Sequence, residues 1–237
     1  GVQFTDLTPL ENVTWVGGDL IIGNLDSVTT LNGLQGIISV GKDLTISYND
    51  NLVALAGLNG VASVGHYIEI EDNPKLTGWG GFHPGHIEGS VLITHCDALK
   101  NLEFLTGRGQ LYGLYVSNCR SLSSLHGLES LYQVEIQLRF TGCDSLVSLV
   151  GLGSLYQTGT LELTENDGLL TLNGLNSLQI IESMLNLRTN PLLHDLTGLS
   201  LVQHVGDLNL ENNDDLTTLE GLNNVTQLGW IGGNGIF

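Results

Sequence analysis

A chain of 237 residues, 41% hydrophobic and only 14% charged, carries enough apolar surface to offset the entropy of ordering, which argues against intrinsic disorder. Seven Lys and Arg against 25 Asp and Glu give a formal net charge of −18, which argues against nucleic-acid binding and against docking on an anionic membrane. No apolar run approaches the roughly 18 residues of a membrane-inserted helix.

The chain opens on Gly1 without an initiating Met, which reads as a mature chain or an excised piece. Glycine is abundant at 32 residues while proline is rare at 4, so these are not the glycines of a low-complexity linker. They recur on a schedule, and the whole chain is self-similar. A partial copy over residues 4–17, with Leu7, Leu10, Val13 and Val16, precedes the first full one at Leu20/Ile22. Equivalent pairs follow at Leu44/Ile46, Ile68/Ile70, Val91/Ile93, Leu114/Val116, Leu138/Phe140, Leu161/Leu163, Leu185/Leu187 and Leu208/Leu210, every 23 or 24 residues. A last copy is incomplete from residue 230, at Trp230-Ile231-Gly232-Gly233, and the native chain is expected to run further.

Each copy has two halves with different periods. Leu44-Thr45-Ile46 alternates with period two, so both large side chains point to one side of a short strand. Leu52, Leu55, Leu58, Val61 and Val64 are spaced strictly by three. In an α-helix that spacing walks the residues around most of the cylinder, so no single buried stripe results. A glycine inside this half, at Gly33, Gly57, Gly81, Gly127, Gly151, Gly174, Gly198 and Gly221, further disfavours helix. A coil of short straight pieces and corners fits: an all-β, right-handed parallel β-solenoid of about nine to ten rungs, forming one domain over 1–237. Strands about 4.8 Å apart would make a rod on the order of 45 Å long around one leucine core.

Three residues after each second strand residue runs a column: Asn49, Asn73, Cys96, Cys119, Cys143, Asn166, Asn190 and Asn213. Asn amides in it are expected to hydrogen-bond along the rod, with Cys as a small buried substitute. Disulfides between neighbouring rungs are the competing reading, but parallel stacking aims the Cβ atoms the same way and three cysteines cannot all pair.

The pattern Gly-x-Leu-x-Ile-x-x-Asn-x-x-Leu-x-x-Leu-x-Gly-Leu-x-x-Val-x-x-Val-Gly, in Gly41–Gly65 and Gly206–Gly229, resembles the receptor L-domain group of leucine-rich solenoids and the similar leucine-rich surface proteins of microbes. The resemblance spans about residues 7–233. It implies an extracellular or cell-surface recognition or adhesion module that binds a protein or glycan partner without catalysis. Sequons at Asn12-Val13-Thr14 and Asn224-Val225-Thr226 would accept glycans in a secreted eukaryotic protein, though such a repeat also creates them by chance.

No nucleophile elbow, Walker loop, His-Glu-x-x-His or paired Cys-x-x-Cys is present, so no enzyme is expected and no cofactor or metal is assigned. Outward strand carboxylates, of which only Glu69 and Glu71 are close, leave a polysaccharide-active β-helix enzyme as a remote alternative. Two candidate ligand sites stand out. Trp79-Gly80-Gly81-Phe82-His83-Pro84-Gly85-His86 overwrites the consensus, offering Trp79, Phe82, His83 and His86 at an irregular corner. The competing account is a corner bulge in which Trp79 and Phe82 fill leucine positions, and a metal between His83, His86 and His95 lacks supporting spacing. Tyr132 and Tyr156 follow a core leucine on adjacent rungs and are expected to stack outward. Acidic turns such as Glu71-Asp72-Asn73 suit solvation better than calcium.

The main alternative to recognition is ice binding. Thr29, Thr30, Thr77, Ser123, Ser124, Ser148, Thr171, Thr217 and Thr218 form a stripe of small hydroxyls between paired leucines, of the kind that ice-binding solenoids use to order water. Lys100-Asn101 and His194-Asp195 interrupt it. Small residues that simply suit a tight face are the structural alternative.

Overall fold

The computed structural model describes residues 4–229. The first strands come as pairs, one pair per turn of the coil. These are β1 (Trp15–Val16) with β2 (Leu20–Gly23), β3 (Ser39–Val40) with β4 (Leu44–Ser47), β5 (Ser63–Val64) with β6 (Ile68–Glu71), and β7 (His86–Ile87) with β8 (Val91–Thr94). Beyond them the two pieces fuse into β9 (Gln110–Ser117), β10 (Gln133–Thr141), β11 (Gln157–Thr164), β12 (Ile180–Arg188) and β13 (His204–Asn209), followed by β14 (Gln227–Leu228). The four short strands make one sheet, and the other ten make a second in which chain order is spatial order. Every pairing is parallel. Among the described residues the helical pieces are three single 3-10 turns, at Thr8–Leu10, Glu103–Leu105 and Thr197–Leu199. The protein is therefore an all-β solenoid of about nine turns. The last copy, at Trp230 and Ile231, lies outside the described residues.

The two periods in the sequence are two backbone geometries. Leu44 pairs with Ile68, Ile68 with Val91 and Val91 with Leu114, so the period-two residues meet in register rung after rung and are fully buried. The spacing of three is a succession of tight turns: the N–H of Leu52 bonds the carbonyl of Asn49, Leu58 that of Leu55, and Val61 that of Leu58. Each turn delivers one apolar side chain inward, and the result is a single cluster from Ile22 to Leu210. At about 25 cal/mol per Å² of apolar area, this continuous burial is what holds the rungs together, since no rung can bury its own face alone. The recurring glycine sits where corners of neighbouring rungs touch: Gly57 has φ +113°, and a Cβ there would lie 1.9 Å from the Leu31 carbonyl oxygen.

The alternation between 23 and 24 residues has a local cause. In β10 the register against β9 and β11 skips between Val134 and Gln137, and in β12 it skips between Ile181 and Met184. Glu135-Ile136 and Glu182-Ser183 thus form one-residue bulges, while a single residue stands at the same place on the neighbouring rungs, Tyr112 on β9, Gly159 on β11 and Gly206 on β13. Gly159 is such a position: a Cβ there would lie 2.3 Å from the Ile136 carbonyl oxygen. The backbone of one rung presses on that of the next at this place with or without a bulge, since a Cβ at Gly65 or Gly89 would lie 2.4 or 2.7 Å from the carbonyl oxygen of Gly41 or His66.

The asparagine column is a buried ladder. The Oδ1 atoms of Asn49, Asn166, Asn190 and Asn213 accept the backbone N–H of the column residue one rung earlier, as Asn49 does from Leu25 (3.0 Å) and Asn166 from Cys143 (3.0 Å), while that of Asn73 accepts the Asn49 amide (3.1 Å). Each Nδ2 donates to a carbonyl of the same earlier rung, Asn73 to Ile46 (2.9 Å) and Asn166 to Phe140 (3.0 Å). Cys96, Cys119 and Cys143 are free, buried thiols in that column. The Cys96 and Cys119 thiols make long contacts of 3.8 and 4.0 Å to the carbonyls of Ile70 and Ile93, an imitation of the Asn amide. A hydrogen bond with Cys119 and burial push the Cys96 thiol up, and burial does the same to Cys143, so the Cys96 and Cys143 sulfurs stay protonated and inert.

Candidate functional site

The irregular corner proves to be core. Trp79 and Phe82 are 4% and 1% exposed, replace leucines of the spacing-of-three half, and flank Phe104 of the next rung with ring centroids at 4.1 and 5.7 Å. Phe104 stands where most other rungs have the glycine. Trp79 and Phe82 therefore expose little of themselves to a ligand, since both rings fill space around Phe104. The indole N–H is also satisfied, donating to Asn101. Nor is the corner a bulge: Val64 pairs with Ile87, so five residues lead from Phe82 to Ile87 where six lead from Leu58 to Val64. The segment is a one-residue deletion, held by Arg108 donating to the Pro84 carbonyl and by a 2.9 Å contact between His83 Nδ1 and the Phe104 carbonyl. A shallow pocket of about 300 Å³ remains at this corner, with Trp79, Phe82 and Phe104 in its lining beside Gly80, Gly81 and His83. His86 is exposed and lies 3.5 Å from Glu88. The structure does not gather His83, His86 and His95 into one group.

Tyr132 and Tyr156 do point outward, at 47% and 44% exposure on adjacent rungs, joined by the Tyr156 N–H to the Tyr132 carbonyl at 2.9 Å. Their rings do not pair; the ring pairs among the described residues lie elsewhere. Next to them runs a row that the sequence reading passed over. Gln110, Gln133 and Gln157 are in register, with Gln110 Nε2 donating to Gln133 Oε1 at 3.0 Å and Gln157 Nε2 to Glu182 Oε1 at 2.6 Å. The signal was in the sequence, since a Gln follows each Tyr. Two amphipathic rings thus stand beside a row of amides held in register by the sheet.

The hydroxyl stripe has a local task. Ser124, Thr171 and Thr218 each accept, through the side-chain oxygen, the backbone N–H two residues on, at 3.1, 3.4 and 3.1 Å. Asn101 and Asp195 do the same in the rungs that appeared to interrupt the stripe, at 3.2 and 2.8 Å. Serine, threonine, asparagine and aspartate are interchangeable here because all four make this turn. The outer members Thr29, Thr77, Ser123 and Thr217 share their exposed column with Val53, Lys100, Val147, Leu170 and His194. Thr30 and Ser148 are half-buried.

A second corner went unnoticed in the sequence. Immediately before each ladder residue the backbone is left-handed: Asn24, Tyr48, Asp72, His95, Asn118, Gly142, Glu165, Thr189 and Asn212 all have φ between +49° and +62°. Asn, Asp and Gly adopt this region readily, whereas Tyr48, His95, Glu165 and Thr189 do so at a cost of roughly 1–2 kcal/mol each. On this corner Glu71, Asp72 and His95 come together, with one ligand atom of each within 4.8 Å of the others. Negative charge from Glu71, then Asp72, pushes the Tyr48 phenol up beside them.

Glu69 lines a small depression of about 160 Å³ with Asp43, Thr45, Tyr67 and Leu92 on the outer sheet face. Two other outward charge pairs are Arg139 with Glu162 at 3.4 Å and Arg188 with Glu165 at 3.6 Å. Asn12 is exposed, and Asn224, also exposed, donates its amide to the Ser200 carbonyl at 2.7 Å. No helix of the described residues is long and apolar enough to cross a membrane. Comparison with family models, curated proteins and solved structures gives no match to this chain.

Proposed function

We propose that this protein is a non-catalytic recognition or adhesion module of the receptor L-domain kind, working outside the cell or at its surface and binding a glycan or protein partner on its rigid flank. The observation that carries the reading is the Tyr132–Tyr156 pair, exposed on consecutive rungs beside Gln110, Gln133 and Gln157. Tyrosine faces pack on the apolar side of a sugar or a peptide while neighbouring amides meet its hydroxyls or backbone. A parallel sheet fixes these groups at rung spacing, so little ordering entropy is lost on binding. The surplus of acidic residues favours neutral or cationic partners over acidic ones.

The test is titration of the protein with a panel of neutral and acidic oligosaccharides, followed by ring-proton NMR of the tyrosines. Binding that perturbs Tyr132 and Tyr156 and weakens at least about tenfold in the Tyr132→Ala/Tyr156→Ala double variant supports the site. Binding retained in that variant, with an unchanged melting curve, removes it. Turnover of any oligosaccharide, lost in Glu69→Gln or Glu71→Gln, overturns the non-catalytic reading.

A further inference from the structure

The Glu71–Asp72–His95 corner is placed by the fold with unusual definition. Asp72 and His95 follow β6 and β8, occupy the same left-handed position on successive rungs (φ +49° and +52°), and are tied by backbone hydrogen bonds from Asp72 N–H to the Thr94 carbonyl and from His95 N–H to the Ser117 carbonyl, both 3.0 Å. The rung stacking therefore sets the two side chains one above the other, and Glu71 ends the strand immediately before them. His95 Nδ1 lies 3.6 Å from Asp72 Oδ1. That is too long for a hydrogen bond. It is close to the separation of two ligands around one tetrahedral ion with bonds near 2.1 Å, about 3.4 Å.

Of the other histidine–carboxylate contacts, His66–Asp43 at 2.8 Å and His126–Glu129 at 2.7 Å are closed hydrogen bonds, while His86–Glu88 at 3.5 Å and His194–Asp195 at 3.3 Å are open but gather no third donor. Among the described residues Glu71–Asp72–His95 is the group of three that converges. The far side of the imidazole is also held: Asn118, the next left-handed corner residue, places Nδ2 3.1 Å from His95 Nε2. A ligand histidine is commonly oriented by such a contact to its other nitrogen. With Nδ1 on an ion, Nε2 carries the proton, and a half-turn of the Asn118 amide presents its oxygen to it. Asn73, the third residue of the acidic turn, faces inward and is committed to the ladder, so the donors are two carboxylates and one imidazole.

We propose that Glu71, Asp72 and His95 form a surface site for a first-row divalent transition-metal ion such as Zn²⁺ or Ni²⁺. The imidazole selects against Ca²⁺ and Mg²⁺, and the two carboxylates supply the compensating charge. Three protein donors leave a position for water or for a group from a partner. The site lies apart from the tyrosine pair and stands or falls independently of the recognition reading.

The experiment is calorimetric titration of metal-free protein with Zn²⁺, Ni²⁺ and Ca²⁺ at neutral pH, with Co²⁺ absorption as a second readout of coordination. His95→Asn and Asp72→Asn remove a ligand while keeping a residue that accepts the left-handed backbone. Asn118→Gly removes only the orienting amide. One saturable Zn²⁺ or Ni²⁺ site is expected, weakened tenfold or more by His95→Asn and Asp72→Asn, about tenfold by Asn118→Gly, and unaffected by His126→Ala. Absence of saturable binding up to about 1 mM free Zn²⁺, or equal binding in wild type and His95→Asn, overturns the proposal. Equal affinity for Ca²⁺ overturns the assigned class of metal.

Discussion

The side-chain oxygen of Asn190 lies 3.2 Å from both the backbone nitrogen and the side-chain nitrogen of Asn166, one rung earlier. Its own Nδ2 meanwhile donates to the Leu163 carbonyl at 2.9 Å. One buried amide thus accepts from the Asn166 backbone N–H and adds a bond to the Leu163 carbonyl. Asn190→Ala removes both bonds and takes from the buried Asn166 N–H its partner across the rungs, and an unsatisfied buried group costs about 1–3 kcal/mol. Denaturant unfolding is expected to show a loss of about 3 kcal/mol for Asn190→Ala and a smaller one for Asn190→Cys, which copies the native thiols of the same column. Equal losses would mean that the thiols do not stand in for the amide.

Gly159 and Gly153 separate close approach from mere loop flexibility. A methyl group at Gly159 would press on the carbonyls of Ile136 and Glu135, at 2.3 and 2.5 Å, whereas at Gly153 nothing lies within 4 Å. Gly159→Ala should lower stability by about 2 kcal/mol or more, as overpacking does. Gly153→Ala should be neutral or slightly stabilising, within about 1 kcal/mol. Paired thermal melts of the two variants check both.

The His126–Glu129 contact gives a defined pH window. The hydrogen bond from Glu129 raises the His126 pKa above its ordinary 6.5. Burial pushes Glu129 upward, but hydrogen bonds from His126 and the Gly127 N–H outweigh it and leave the carboxyl below its ordinary 4.5. The histidine contribution to stability is complete below 6.5 and fades as pH rises through the raised value. The glutamate contribution is complete above 4.5 and fades as pH falls through the lowered one. The pair is at full strength from about pH 4.5 to 6.5. NMR titration of the His126 ring should give a midpoint above 6.5 that returns toward 6.5 in Glu129→Gln.

For the hydroxyl stripe, no thermal hysteresis or ice-crystal shaping is expected at high protein concentration. The inner hydroxyls of Ser124, Thr171 and Thr218 are bonded to backbone N–H groups, and the outer column is shared with Lys100 and Leu170, so neither presents a regular plane to water. Activity in wild type that disappears in Thr30→Tyr and Ser124→Tyr would reverse this and assign the face.

The coil was legible in the sequence because its two halves carry different periods, and burial follows both: Leu44, Ile46, Leu52, Leu55 and Leu58 are all fully buried. The Asn and Cys column was legible for the same reason, one position per rung. The site was far less so. Trp79 and Phe82 drew notice as aromatic residues at an irregular place, but irregularity there reflects Phe104 replacing a glycine one rung on, a fact about neighbours 22 to 25 positions away. The left-handed corner escaped because only five of its nine residues are Asn, Asp or Gly, and the other four have side chains that conceal the backbone requirement. The Glu71–Asp72–His95 convergence follows only once β6 and β8 are set in register.

The bulges at Glu135-Ile136 and Glu182-Ser183, with the Gly159 turn between them, make consecutive turns of the second half unequal. Equivalent environments recur from Leu138 to Leu185 and from Leu161 to Leu208, 47 positions apart in each case. Glycine already faces glycine on adjacent turns at Gly206 and Gly229, whereas among the described residues the two bulges do not meet. Excising the turn that carries Gly159 would set bulge against bulge, so length variants of this half should keep a glycine turn between its bulges.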